Sequence, residues 1–208
     1  MSQDLAARNP AVQNAEVRDP EVRNRSSATA ETLADVRTLL PLHVGEVVLD
    51  LTSGDRRTTF LAASIVGRNG RVVGIEEDSA SLASARRTAE IEAQRLGYAN
   101  VSFVRARSDD LALDPDLLDP WLDAHPVRNA EEMARLAQEI ARLRREAPLI
   151  PDRSIDVVIT TLESDPAPAA KQRIVAQEIA RVLRPGGRVV RWNGDGSTSH
   201  GSTSHGST

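Results

Sequence analysis

The amino-acid sequence predicts an α/β protein built on a doubly wound parallel sheet, and two observations carry this prediction. Short apolar runs alternate with segments of helical periodicity along most of the chain, as expected for parallel strands joined by crossover helices. Residues 45–77 read as strand, tight loop, helix, turn and a second strand with an acidic end. This is the βαβ layout of nucleotide-binding sheets, so the expected fold is Rossmann-like, and right-handed crossovers give the strand order 3-2-1-4-5.

The individual elements follow from the spacing of apolar residues. A helix is predicted over residues 29–40, ahead of the first strand. Gly97 is expected to end the helix after the second strand, because glycine adopts the left-handed conformation common at helix ends. The strands are predicted at 47–49, 72–75, 100–105, 154–161 and 188–192, and the helices between them at 60–66, 78–96 and 171–183.

Three segments fall outside this alternation. Residues 1–28 are polar and contain three related five-residue units, which favour an extended or partly ordered arm over a stacked repeat. Residues 114–150 are rich in charge and in helix formers and predict a helical insertion between strands 3 and 4. Residues 193–208 repeat small polar residues and predict a flexible tail. The domain itself is therefore expected over residues 29–192.

Composition excludes several classes of function. The net charge of -4 gives no general attraction for nucleic acid or anionic membranes, so neither is expected as a partner. The sequence contains no cysteine, which excludes disulfides, thiolate metal sites and cysteine nucleophiles, and no metal site is expected. The first residues lack the apolar core of a signal peptide, and no apolar run is long enough to span a membrane. These features predict a cytoplasmic protein.

The strongest single candidate for a binding residue is Glu76, at the end of the second strand. Ligands of such sheets bind outside the carboxyl ends of the strands, where a carboxylate can accept both hydroxyl protons of a ribose. The alternative is a solvated carboxylate that caps the next helix. Asp109 and Asp110 follow the third strand, where they could accept a bond from an adenine amine or cap the following segment.

The loop after the first strand supplies further candidates. Gly54 would let the backbone approach a ligand closely, because it has no Cβ. Arg56 and Arg57 follow it and could bind a phosphate through charge-assisted hydrogen bonds, or could face solvent in the first turn of a helix. A phosphate-binding loop of the GxxxxGK[ST] form is absent, and no Ser/His/Asp arrangement is credible.

The segment VVLDLTSGDRRTTFLAASIVGRNGRVVGIEEDSASLASARR resembles the first two motifs of class I S-adenosylmethionine-dependent methyltransferases. SIDVVITT, followed by IARVLRPGGRVV, is similar to their fourth strand and the turn before their fifth. The segments LGYANVSFVRARSDDLAL and DPWLDAHPV are most like arsenite methyltransferase-like members. The resemblance covers about residues 40–192. It implies S-adenosyl-L-methionine as cofactor and assigns its binding to Asp50, Thr52, Ser53, Gly54, Glu76, Glu77, Ser108, Asp109 and Thr160.

This chain departs from the family at several positions. The family loop has the form D-x-G-x-G-x-G, and Thr52 and Arg56 replace two of its three glycines, so weak cofactor binding is expected. Arsenite methylation is not expected, because it uses cysteine thiolates as arsenic ligands. The family also continues into a sixth and a seventh strand. Without them, strand 5 would be an open edge after Trp192, and a homodimer could form through it.

Three functions are compatible with this pattern. The leading one is a methyltransferase-like domain that transfers a methyl group to an unknown small-molecule acceptor, with weak or no activity, and no catalytic residue is assigned. The second is a non-catalytic scaffold or partner-binding protein. The third is a dinucleotide or nucleotide-sugar binder that uses Glu76 and the loop arginines.

Overall fold

The computed structural model describes residues 40–52, 56–161, 168–193 and 197–201. The predicted arm, nearly all of the predicted helix at 29–40, and two predicted site residues, Ser53 and Gly54, lie outside the described residues. The strands are β1 (Val47–Asp50), β2 (Arg71–Glu76), β3 (Val101–Arg105), β4 (Ile155–Thr160), β5 (Leu183–Asn193) and β6 (Ser197–Gly201). The helices are α1 (Arg56–Val66), α2 (Ser79–Leu96), α3 (Pro115–Ala124), α4 (Ala130–Glu146) and α5 (Ala169–Val182).

The sheet has the strand order β3-β2-β1-β4-β5-β6, with the first five strands parallel. The predicted order 3-2-1-4-5 is therefore confirmed. In the register, Asp50 at the end of β1 lies opposite Gly74 on one side and Ile159 on the other. On the next strand, Glu76 lies opposite Arg105. Consequently the carboxyl ends of β1 to β4 lie along one edge of the sheet.

The prediction that strand 5 ends the sheet as an open edge is wrong. Residues Ser197–Gly201, within the segment predicted to be a flexible tail, form β6 and pair antiparallel with β5 from Val189 to Asn193. This part of the sequence has no apolar residue, so it lacks the hydrophobic alternation by which a strand is usually found. Strand β6 therefore lies beside β5 in the sheet, and a homodimer of this chain stays a prediction.

The predicted turn at Pro185–Gly187 is instead an irregular part of β5. Leu183 pairs with Ile155, and the next register position joins Arg188 to Val157, so extra residues of β5 bulge out between them. Gly186 has a φ angle of 82°, a conformation that residues with a Cβ rarely adopt. The strand therefore begins directly after α5, five residues earlier than predicted.

The core lies on both faces of the sheet, as a doubly wound fold requires. Successive strand residues point to opposite faces, which places Val48 in one cluster and Leu49 in the other. Helix α1 contributes Ala62, Ile65 and Val66 to the cluster around Val48. Helix α5 contributes to the cluster around Leu49 through Val175, Ile179 and Val182. Val, Leu, Ile and Ala fill both clusters, in agreement with the scarcity of aromatic residues.

The helical insertion is confirmed as two helices, α3 and α4, which begin at the N-caps Asp114 and Asn129. Two backbone hydrogen bonds join its ends, from Leu149 N to Ala112 O and from Ile150 N to Leu111 O, each 3.0 Å. Helix α2 ends at Gly97 in the left-handed conformation, as predicted. Among the helices of the described residues, none is both long enough and apolar enough to cross a membrane.

Candidate site at the carboxyl edge of the sheet

Asp50 anchors the loop that follows β1. Its side chain is 2% exposed. Oδ1 accepts hydrogen bonds from Thr52 N at 2.9 Å and Thr52 Oγ1 at 2.5 Å. Oδ2 accepts a third from Thr59 Oγ1, on α1, at 2.7 Å. Thr52 stands where the resemblance described above places a glycine, and its hydroxyl bonds back to Asp50. Asp50 therefore connects the end of β1 to helix α1. Thr59, the partner on α1, was not among the residues predicted from the sequence.

Glu76 is a buried carboxylate with little protein hydrogen bonding. The residue is 5% exposed at the end of β2. Within the described part of the chain, its carboxylate accepts one hydrogen bond, from Arg56 Nε at 3.4 Å. A carboxylate has about four acceptor positions, and buried polar groups are normally well satisfied. Glu76 therefore keeps the capacity to accept further donors, as a ribose-binding residue needs.

Arg56 lies across the end of β2 and joins two helices. It is the first residue of α1, and its guanidinium donates to Ser84 Oγ at 3.1 Å and to Ser81 O at 3.0 Å, both on α2. The sequence predicted either a phosphate contact or a solvent-facing side chain. The observed side chain is only 30% exposed and forms an ion pair with Glu76. The resemblance described above places a glycine at this position, and the arginine here has a long side chain instead.

A tight turn follows β3 and carries two predicted site residues. Asp110 N donates to Arg107 O at 3.1 Å, which places Ser108 and Asp109 at the corner of the turn. The Asp109 carboxylate accepts two bonds from the Arg107 guanidinium, at 2.9 and 2.8 Å. These bonds hold the pKa of Asp109 below its ordinary value of 3.8. The same bonds to Asp109 raise the pKa of Arg107, and the charge of the exposed Glu77 adds to this effect.

Asp110 connects this turn to the insertion. Its carboxylate accepts bonds from Arg144 of helix α4, at 2.6 Å to Oδ2 and 3.2 Å to Oδ1. Sequence reasoning missed this pair because the two residues are 34 positions apart.

At the end of β4, Thr160 is 3% exposed. It follows Ile159, whose carbonyl oxygen accepts a hydrogen bond from Leu51 N at 2.8 Å. The structure thus places Asp50, Thr52, Glu76, Glu77, Ser108, Asp109 and Thr160 at the ends of four neighbouring strands.

A family model described as a methyltransferase domain matches residues 42–197, which is most of the chain. The chain belongs to this methyltransferase family. The resemblance to class I methyltransferases seen in the sequence is thereby confirmed.

Among the described residues, no group of three or more His, Cys, Asp or Glu side chains could hold a metal ion.

This chain spans only part of the length of the individual proteins that it resembles. An arsenite methyltransferase from Aquipseudomonas alcaligenes is 42% identical over 65 residues, which cover 31% of this chain and 19% of that protein. The crystal structure of CrArsM, an arsenic(III) S-adenosylmethionine methyltransferase from Chlamydomonas reinhardtii, is 25% identical with a TM-score of 0.46, over 71% of this chain and 38% of that one. A SAM-dependent methyltransferase from Aquifex aeolicus is 18% identical with a TM-score of 0.44, over 83% of this chain and 71% of that one.

Proposed function

We propose that this chain is an S-adenosylmethionine-dependent methyltransferase domain that binds its cofactor weakly and acts on a small-molecule acceptor. The observation that carries the proposal is Glu76: a carboxylate at the end of β2, 5% exposed, with one long hydrogen bond from the described part of the chain. A buried charge with unused acceptor positions is costly unless a ligand supplies donors. In a methyltransferase sheet, the two hydroxyls of the cofactor ribose are suitable donors.

The neighbouring strand ends provide the rest of the cofactor site. Glu77 and the turn with Ser108 and Asp109 would lie on the adenine side, and the loop from Asp50 through Thr52, Ser53 and Gly54 would lie on the side of the amino-acid part, with Thr160 beside it. When bound, the cofactor supplies an electrophilic methyl group. The nucleophilic atom of the acceptor must be held in line with that methyl group. Residues that position the acceptor can do this without taking part in bond making or breaking. We therefore assign no catalytic residue.

The partners and location that we propose follow from charge and composition. A net charge of -4 argues against nucleic acid or a membrane surface as partner. A chain without cysteine suits a reducing compartment, and we place the protein in the cytoplasm.

Arsenite is not among the acceptors that we propose. Trivalent arsenic needs soft thiolate ligands, and the sequence has no cysteine to provide them. Incubation with arsenite and S-adenosylmethionine, followed by mass spectrometry of methylated arsenicals, should give no product above a control without protein. Turnover above that control would contradict the cysteine argument.

A second candidate function is a non-catalytic scaffold, and a specific observation favours it. Three of the carboxylates at the candidate site are paired with arginines of this same chain: Glu76 with Arg56, Asp109 with Arg107, and Asp110 with Arg144. Carboxylates that are paired in this way have fewer acceptor positions left for a ligand, although Glu76, with one bond of 3.4 Å, is the least engaged of the three.

Titration calorimetry with S-adenosylhomocysteine separates these candidates. The methyltransferase proposal predicts saturable binding in the high-micromolar to millimolar range, and weaker binding of NAD. A dinucleotide binder would prefer NAD, and a scaffold would bind neither ligand. Glu76→Gln should weaken this binding, and its matched control is Glu90→Gln, an exposed carboxylate on α2, which should not alter binding. Absence of S-adenosylhomocysteine binding at millimolar concentration would refute the proposed function.

A further inference from the structure

We propose that Arg56 determines the ligand specificity of this site by competing with ribose hydroxyls for Glu76. The inference rests on the proposed function, because it assumes that a nucleoside ligand uses Glu76. It goes beyond that function by identifying a group of this chain that already contacts the proposed ribose-binding carboxylate. The site should therefore discriminate against nucleosides in proportion to how much they depend on their 2′ and 3′ hydroxyls.

The geometry of the guanidinium supports this competition. All three nitrogens of the Arg56 guanidinium donate to protein acceptors: Nε to Glu76, Nη1 to Ser84 Oγ and Nη2 to Ser81 O. The two bonds to α2 are 3.1 and 3.0 Å long, whereas the bond to Glu76 is 3.4 Å. The side chain is thus held by α2 and rests more loosely on the carboxylate. It covers Glu76 without filling its acceptor positions.

Charge explains why this contact opposes a neutral ligand. Glu76 is buried, so its negative charge is costly unless a cation or several donors stabilise it. Arg56 supplies a cation. A ribose supplies only neutral hydroxyl donors. Both kinds of bond end on an ionised carboxylate and are charge-assisted, but only the guanidinium adds the coulombic attraction of a full positive charge at a buried site. A ribose must therefore share or displace a stronger partner, and its binding is weakened by the free energy of that exchange.

The test uses adenosine and 2′,3′-dideoxyadenosine as probes, because they differ only in the two hydroxyls at issue. Arg56→Ala removes the competing cation, and Arg87→Ala removes an exposed cation from α2 as the matched control. We expect Arg56→Ala to bind adenosine about tenfold more tightly than the wild type does, as expected for the loss of one charged hydrogen-bond competitor. Binding of 2′,3′-dideoxyadenosine should not improve, and Arg87→Ala should match the wild type for both probes.

Two further variants test the mechanism. In a Glu76→Gln background, Arg56→Ala should give little or no gain, because the carboxylate for which the two groups compete is gone. Arg56→Lys keeps the cation but cannot make all three contacts, so it should give a smaller, still hydroxyl-dependent gain. This variant also keeps the test decisive if the alanine variant does not fold, which circular dichroism would reveal.

Two results for the Arg56→Ala variant would overturn the inference. An equal gain for both probes would show that Arg56 acts only by bulk, and an unchanged or reduced affinity for adenosine would show that it does not compete. If the wild type binds S-adenosylhomocysteine in either case, the proposed function stands. If neither the wild type nor Arg56→Ala binds S-adenosylhomocysteine or adenosine at millimolar concentration, both the inference and the proposed function fail.

Discussion

Glu178 of helix α5 connects that helix to both ends of the insertion, which makes its substitution informative. Its carboxylate accepts a hydrogen bond from Leu111 N at 2.8 Å and two from the Arg181 guanidinium, each 2.9 Å long. Arg181 in turn donates to Ile150 O at 3.0 Å and to Asp152 Oδ1 at 2.6 Å. Glu178→Gln keeps the shape of the side chain, but it removes the charge and turns one of the two oxygens into a donor that faces other donors.

The expected cost is about 2 kcal/mol of unfolding free energy at pH 7, the middle of the range for hydrogen bonds to charged groups. Burial acts to raise the pKa of Glu178, but hydrogen bonds from Arg181 and Leu111 outweigh it and hold the pKa below the ordinary value of 4.5. The folded-state pKa is therefore the lower one. The ionised carboxylate stabilises the fold fully above pH 4.5, and this stabilisation is lost as the pH falls through the folded-state pKa.

Urea denaturation followed by circular dichroism, at pH 7 and at several values below 4.5, measures both quantities. The difference between the wild type and Glu178→Gln should be largest at pH 7 and should shrink as the pH falls. Glu131→Gln is the matched control, since Glu131 is an exposed helical glutamate that pairs with Arg135. A difference that is absent at pH 7, or that does not change with pH, would refute the reasoning.

Three other substitutions have expected outcomes. Glu76→Gln should weaken S-adenosylhomocysteine binding by about 1–3 kcal/mol in calorimetry, with little change in the unfolding midpoint, and unchanged affinity would exclude Glu76 from the ligand site. Thr58→Val should raise the unfolding free energy by about 1 kcal/mol, because the buried Thr58 Oγ1 has no partner among the described residues. Thr59→Val, the adjacent control, should lower it through loss of the bond to Asp50, and equal effects would contradict this distinction. Gly74→Ala should destabilise the fold by about 1–3 kcal/mol in urea denaturation, because a new Cβ would lie 2.6 Å from the Phe103 ring. Wild-type stability in Gly74→Ala would mean that the ring has room to move.

Much of the sheet could be predicted because its strands are short runs of β-branched and aliphatic residues between polar loops. The strand predicted at 154–161 is observed as Ile155–Thr160, and the one at 72–75 as Arg71–Glu76. Strand β6 could not be found in this way, because its sequence, STSHG, offers no apolar side chain for a core. A strand whose sequence has no apolar residue gives no signal of hydrophobic periodicity.

In the candidate site, the positions of residues could be predicted from the sequence, but most of their side-chain partners could not. Positions at strand ends follow from the topology, which is why Asp50, Glu76 and Thr160 could be named from the sequence. The partners of charged side chains depend on tertiary placement: Arg56 and Glu76 are 20 positions apart, and nothing local joins them. Arg107 and Asp109 are two positions apart, so that pair could have been suspected from the sequence.

The two ends of the insertion are held together by backbone hydrogen bonds, which affects how its length can change. Residues 111 and 112, which follow β3, bond directly to residues 150 and 149, which precede β4, so the insertion begins and ends at one point. The entropic cost of closing a flexible loop grows only with the logarithm of its length, by about 0.6 kcal/mol for each doubling. The excursion can therefore be lengthened, shortened or exchanged for one from another protein, while strands β3 and β4 keep their places. A change in the length of this insertion therefore adds little loop-closure cost to the rest of the fold.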